Sequence, residues 1–255
     1  MTGGVQELPL RRMGRTVIVG DVHGCLAELE VLLRVVQVVE ADSVVFVGDL
    51  VSRGPDSRGV VRLARRLGAR AVLGNHEWRL VQTWRQRDVP VEGPPLSPRQ
   101  LALLRTLSRE ERAWLEGLPL FIDLPEHGMR IVHGGIVPGV PIEELGPEVL
   151  TRLRSFGNDG QPSDRLGDES WAARYRDSPH VVFGHDARRG LQLHPNATGL
   201  DTGCVYGGEL SALVLEPGAL VPVDPALRRQ CIVSVPAKRA YVKPRASPPS
   251  RSGLG

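Results

Sequence analysis

The chain has 255 residues, 41% of them hydrophobic and 24% charged, enough to bury one sizeable core and too apolar for global disorder. Aromatic residues make up only 4%, which argues against a broad base-stacking platform. The formal charge of +3, carried almost wholly by arginine, fits anionic substrates without naming one.

The first strand is expected at TVIVG, Thr16 to Gly20, a short β-branched run, followed by a helix over Cys25 to Val39 with apolar residues at helical spacing. SVVFVG, Ser43 to Gly48, is the next strand, a helix follows over Asp56 to Gly68, and ARAVLG, Ala69 to Gly74, is a third strand. This alternation predicts an α/β fold with an early parallel sheet. Glu77 to Asp88 reads as a helix, residues 89–98 as a loop, and two further helices follow Ser97 and Ser108, so 77–118 reads as a helical cap. Strands resume at Leu120 to Asp123 and Met129 to Gly135, and helices are expected over Pro147 to Arg154 and Asp168 to Arg176. HVVFGH, LQLHP, ATGLDTG and ELSALVLEPG then predict strands in an antiparallel meander, and residues 236–255, rich in Pro, Ser and Arg, predict a disordered basic tail. The three cysteines, Cys25, Cys204 and Cys231, have no C-x-x-C spacing and give neither a disulfide framework nor a zinc knuckle. With no signal core and no apolar run long enough for a bilayer, the expectation is a soluble cytoplasmic protein with no membrane contact.

The strand ends carry the chemistry. VGDVHG supplies Asp21 and His23, VGDLVSRGP supplies Asp49 and Arg53, LGNHE supplies Asn75 and His76, VHGG supplies His133 and FGHD supplies His185. Carboxyl ends of strands in an α/β sheet gather at one edge, where ligands bind. Oxygen and imidazole donors of these types suit first-row divalent ions. Singly, each has an ordinary explanation: Gly-Asp is a common turn, Asn75 a helix cap, a lone histidine a core residue. Together, at successive strand ends, they point to a metal centre.

GDVHG, GDLVSRG, GNHE, HGG and GH, in this order between about Thr16 and Glu216, resemble the phosphoprotein-phosphatase branch of the calcineurin-like metallophosphoesterases. The resemblance implies a β-sandwich flanked by helices, with the metallophosphoesterase domain over residues 14–220. It also implies two divalent metal ions, manganese first, with cobalt, nickel, iron or zinc as alternatives. Asp21 and His23 would hold one ion, Asn75, His133 and His185 the other, and Asp49 would bridge them. His76 would be the general acid, Arg53 and Arg152 would grip phosphate, Arg154 would share that role, Asn75 would also meet the substrate, and Tyr206 would line the cleft.

Protein serine/threonine phosphatases of this branch carry an aspartate three residues after the bridging one; here that residue is Ser52. A non-acidic residue there resembles the symmetrical diadenosine tetraphosphate hydrolases and their bacterial relatives, as do LTRLR and GLDTGCVYGGELSAL. Glu77 and Trp78 depart from that subgroup, where Asp and an aliphatic residue follow the histidine. The implied reaction is cleavage of diadenosine tetraphosphate to two ADP, with other dinucleoside polyphosphates, nucleotides or capped RNA 5′ ends as related substrates. The alternatives are a protein serine/threonine phosphatase and an RNA-binding module with a structural metal. No obligate protein partner is evident from the sequence.

Overall fold

Residues 14–85 and 96–243 are described by the computed structural model of the chain. Strands β1 (Thr16–Val19), β2 (Ser43–Phe46) and β3 (Arg70–Ala71) run parallel, joined by helices α1 (Leu26–Val36) and α2 (Ser57–Arg66). After Thr16 and Ser43, β1 and β2 are apolar because both of their faces are covered. Val17, Val19, Val44 and Phe46 pack with residues of α1 and α2, whereas Ile18, Val45 and Val47 pack with the strands of a second sheet. Leu29 and Leu32 fix α1 in place, each fully buried and each worth roughly 1.5–3 kcal/mol of burial. The Asp56 side chain caps α2 by accepting from the Gly59 N–H.

Helices α3 (Asn75–Arg85), α4 (Pro98–Thr106) and α5 (Arg109–Glu116) follow. Ser97 and Ser108 start α4 and α5 with capping boxes completed by Gln100 and Glu111. Leu103, Leu107 and Leu115 enter the same core as α1 and α2. The end of the helix expected through Asp88 and most of the loop expected over 89–98 lie outside the described residues.

The second sheet begins with β4 (Phe121–Leu124) and β5 (Met129–Val132). Helix α6 (Pro147–Arg152) and a small hairpin of β6 (Ser155–Phe156) and β7 (Pro162–Ser163) intervene before β8 (His180–Phe183), β9 (Gln192–Leu193) and β10 (Ala197–Gly199). The order is β4-β5-β8-β10-β9, with β5, β8 and β10 mutually parallel. Its inner face shares a core with the first sheet through Met129, Ile131 and Val182; its outer face is covered by Trp171, Ile142 and Leu150.

Three expectations need correction. The closing strands are not an antiparallel meander: β10 pairs parallel with β8, and β11 (Glu209–Leu215) leaves for the first sheet, where it lies antiparallel to β1. β11 needs both faces covered, because Leu210 and Ala212 join the helix-side core and Leu213 and Leu215 the inter-sheet core. The helix expected over Asp168 to Arg176 is only a single 3-10 turn, Trp171–Ala173. Its conformation is set by the Trp171 indole, which donates to the Gly134 carbonyl at 3.0 Å and stacks against Phe183. Finally, the assigned disordered tail begins too early. Helix α7 (Pro225–Gln230) and strand β12 (Ile232–Pro236) precede a segment that stays packed through Lys243: Ala237 N–H donates to Gly208 O, Tyr241 N–H to Val205 O, and the Tyr241 hydroxyl to Glu28. Tyr241 and Val242 are held by partial burial against the helix-side core. Residues 244–255 lie outside the described residues. Among the described residues, no helix is long and apolar enough to cross a membrane.

Candidate metal centre

The carboxyl ends of β1, β2 and β3 lead into Asp21, Asp49 and Asn75, and those of β5, β8 and β10 into His133, His185 and Asp201. The two sheets converge there. Gly48 has φ +98°, and a Cβ on it would stand 2.8 Å from His133 Nδ1; a Cβ on Gly184 would stand 2.0 Å from Asp21 Oδ1. Larger residues would push the two donor sets apart. The backbone also departs from ordinary conformations here: His23, Asp49, Ser52, Arg53 and His185 all have positive φ, between 48° and 72°. Such non-glycine residues cost of order 1–3 kcal/mol each, and they concentrate at functional sites.

Each of the three histidines spends one ring nitrogen on a backbone carbonyl. His23 Nδ1 meets Val51 O at 3.2 Å, His133 Nδ1 meets Val47 O at 2.8 Å, and His185 Nε2 meets Arg152 O at 3.1 Å. A metal-ligating histidine is oriented in this way, its second nitrogen donating so that the first keeps a lone pair. The free nitrogens then converge on Asp49. Its Oδ2 lies 3.5 Å from His23 Nε2 and 3.4 Å from His133 Nε2, and His133 Nε2 lies 3.1 Å from Asn75 Oδ1. Ligand atoms of Asp49, His133 and His185 fall within 4.8 Å of one another, as do those of His23, Asp49 and His76. Asp21 turns both oxygens to the His185 backbone N–H, 3.2 Å from each.

The charge state of these groups fits a cation. Burial, then Asp201 and Asp49, push the Asp21 carboxyl well above its ordinary range, and burial raises Asp201 to about 6. Burial alone would raise Asp49 too, but His133, His76 and His23 outweigh it and hold Asp49 well below the usual range. Burial lowers His23 to about 4 and His185 well below its normal value, leaving both as neutral imidazoles, whereas at His133 burial is outweighed by Asp49, which raises it. Crowded carboxylates and neutral imidazoles in a dry site are what a divalent ion stabilises.

Beside this cluster, Arg53 Nε donates to His76 Nε2 at 3.1 Å, and the Arg53 guanidinium lies over the Tyr206 ring, 5.4 Å from its centroid. The His76 backbone N–H donates to Asp49 Oδ1 at 3.0 Å, which ties the start of α3 to the centre. His76 Nδ1 and the Ser52 hydroxyl are buried and have no hydrogen-bond partner among the described residues. Among these residues no carboxylate is hydrogen-bonded to the His76 ring.

Glu77, noted in the sequence only as a departure from the subgroup, has a structural task there. It is fully buried, and its carboxylate accepts from three backbone N–H groups: Asp49 at 2.9 Å, Val51 at 3.0 Å and Gly74 at 3.1 Å. The Gly74 bond closes the first turn of α3 from Glu77, three residues on, so that Gly74 and not Asn75 precedes the helix as its cap residue. The bonds to Asp49 and Val51 join α3 to the turn after β2, and no sequence signal announces them. Burial and then Asp49 raise Glu77 to about 7, while the Val51 N–H pulls the other way. Glu77→Gln retains only one acceptor oxygen and turns an NH2 group toward backbone donors. It is expected to destabilise the fold by roughly 1–3 kcal/mol, read as a lower denaturant midpoint at unchanged slope.

Arg152 and Arg154 are placed differently. Arg152 pairs with Glu148, Nε to Oε2 at 2.8 Å, at the half-open edge of the site. Arg154 is committed to backbone, donating to Asp164 O at 2.9 Å and His185 O at 3.0 Å, and so braces the His185 turn. Next to Arg154 a cleft of about 680 Å³ opens on the β6–β7 hairpin, with Phe156, Leu166 and Arg174 in its wall.

The calcineurin-like phosphoesterase family model matches residues 14–216. The chain belongs to that family, and the family implies two divalent metal ions. Among curated relatives, a symmetrical bis(5′-nucleosyl)-tetraphosphatase of Psychromonas ingrahamii is 40% identical, covering 78% of this chain and 92% of the relative. An asymmetrical bis(5′-nucleosyl)-tetraphosphatase, PrpE, of Halalkalibacterium halodurans is 34% identical, covering 77% of this chain and 88% of the relative. A solved structure provisionally described as a diadenosine tetraphosphatase is similar at a TM-score of 0.74 and 40% identity, covering 90% of this chain and 96% of that one.

Proposed function

We propose that this protein is a cytoplasmic, manganese-dependent phosphohydrolase that cleaves diadenosine tetraphosphate and related dinucleoside polyphosphates symmetrically, to two ADP. Asp21 and His23 hold one ion, Asn75, His133 and His185 the other, and Asp49 both. Bound there, the ions supply charge neutralisation at the phosphoryl oxygens and acidify water. Arg53 presents a planar fork of N–H donors to the same oxygens, and Tyr206 backs it with a cation–π contact. Arg152 reaches the outer phosphates by leaving Glu148, an exposed pair that costs little to break. The cleft beside Arg154 offers Phe156 and Leu166 to a nucleoside end. Because the reacting bond is an anhydride, an RNA 5′ end capped by a dinucleoside polyphosphate presents the same chemistry.

The observation that carries the choice of substrate is the pair Ser52 and His76. His76 donates a proton to the departing oxygen in this reading, yet among the described residues its Nδ1 has no hydrogen-bonded carboxylate, and burial outweighs the nearby Asp49 and lowers it to about 3. A nucleotide phosphate leaves with little protonation, whereas a seryl alkoxide needs a proton. This favours phosphoanhydrides over phosphoproteins. The test compares kcat/KM for diadenosine tetraphosphate and a phosphoserine peptide, in wild type and Ser52→Asp, across pH. Wild type is expected to favour the dinucleotide, and Ser52→Asp to shift the ratio toward the peptide by about tenfold or more, the effect of one pKa unit or more on the acid. A wild-type preference for the peptide overturns the substrate, and an unchanged ratio removes its proposed cause.

A further inference from the structure

A second group of metal-ligand side chains lies under the C-terminal segment. The Sγ atoms of Cys25 and Cys204 and a carboxylate oxygen of Glu28 are within 4.8 Å of one another. All three residues are buried, at 0%, 1% and 1% exposure, and both cysteines are free thiols. Cys25 immediately precedes α1, Glu28 is in the first turn of that helix, and Cys204 opens the 3-10 turn Cys204–Tyr206. Sequence spacing gave no hint of this group, because its donors come from opposite ends of the chain.

The carboxylate is only half satisfied. Glu28 Oε1 accepts from the Tyr241 hydroxyl at 2.7 Å and the Lys238 backbone N–H at 3.0 Å. Oε2 is buried and has no hydrogen-bond partner among the described residues. A carboxylate oxygen taken from water without a partner is unfavourable, and a cation is one of the few groups that repairs it.

We propose that Cys25, Cys204 and Glu28 form a binding site for one thiophilic divalent cation, zinc in the first instance, separate from the binuclear centre. Two sulfurs select zinc over manganese, whereas the oxygen and imidazole donors around Asp49 suit either. Zinc bonds of about 2.0–2.3 Å put tetrahedral donors roughly 3.3–3.8 Å apart, so the three side chains need close by about 1.5 Å at most. Binding releases both thiol protons to solvent. Two thiolates and one carboxylate then surround a charge of +2, leaving a net charge of −1 next to the Tyr241 hydroxyl and the Lys238 N–H. A fourth coordination position remains for water. Cys25 lies two residues after His23, and Cys204 two residues before Tyr206, so the ion would fix the first metal loop against the loop that carries the Arg53 partner. The proposal does not depend on the substrate reading.

The test is a cobalt(II) titration of the full chain already loaded with manganese. Ligation by thiolate gives a charge-transfer band in the near ultraviolet, which imidazole, amide and carboxylate ligands do not. Wild type is expected to develop this band at one cobalt per chain beyond the binuclear load, and added zinc is expected to bleach it. Cys204→Ala and Cys25→Ala are each expected to lose the band. Cys231→Ala is expected to keep it, since Cys231 belongs to the inter-sheet core. Glu28→Gln, which spares both sulfurs, is expected to keep the band but to develop it only at higher cobalt concentration. A wild-type titration without the band overturns the proposal whatever the variants do, as does a band that persists in both Cys25→Ala and Cys204→Ala.

Discussion

Asp49→Asn is expected to abolish turnover and to lower the metal content sharply. Asp49 is 2% exposed, and its Oδ2 stands almost midway between His23 Nε2 of the first sheet and His133 Nε2 of the second, at 3.5 and 3.4 Å. It is the only one of the proposed ligands that reaches histidines from both sheets. An amide there keeps the shape and the hydrogen bond from the His76 N–H but removes the negative charge that the proposed bridge places between two dications. Two ions commonly stand about 3.5–4 Å apart in such sites, a separation at which their repulsion without a bridging anion disfavours joint occupancy. The check is metal analysis of the purified variant beside its rate. A two-ion load equal to wild type would remove the bridging role.

His76→Asn is expected to do the opposite to the metals and nearly as much to the rate. It should retain both ions while kcat falls by about 10²–10⁴-fold, the contribution typical of a positioned general acid. The geometry makes this a real choice, because His76 lies within ligand range of His23 and Asp49. Its Nε2, however, already accepts from the Arg53 Nε–H at 3.1 Å, which occupies the lone pair a metal would take. Loss of one ion in His76→Asn would make it a ligand instead. A leaving group that needs no proton should rescue the rate if the assignment is right.

The centre was largely readable because one signature encodes both fold and site: an apolar run stopping at Asp, Asn or His. That pattern places Asp21, Asp49, Asn75, His133 and His185 at strand ends, and the strands place them together. What depends on approach between distant segments was not readable. The Glu77 bonds to Asp49 and Val51 require the start of α3 to dock on the turn after β2. The resemblance favours Arg152 and lets Arg154 share its role, and only the tertiary structure turns Arg154 onto two carbonyls and Arg152 onto Glu148. Period-two alternation identifies a strand but not its partner, so β11 was assigned to a meander instead of the first sheet. The composition of residues 236–255, rich in Pro, Ser and Arg, hides the two side chains, Tyr241 and Val242, that pack its first part against the core. α7 carried a usable start signal, Asp224 before Pro225, in a segment too short for periodicity to register.

The most direct measurement resolves the products formed from diadenosine tetraphosphate by the manganese-loaded protein. Relatives named for symmetrical and for asymmetrical cleavage both align with this chain, so the product pattern also decides between those two modes. ADP as the sole initial nucleotide product, lost in His76→Asn with the metals retained, is the predicted result. Equal amounts of ATP and AMP would contradict the symmetrical assignment, and no turnover by metal-replete protein would contradict the reading of the site as a dinucleoside polyphosphate hydrolase.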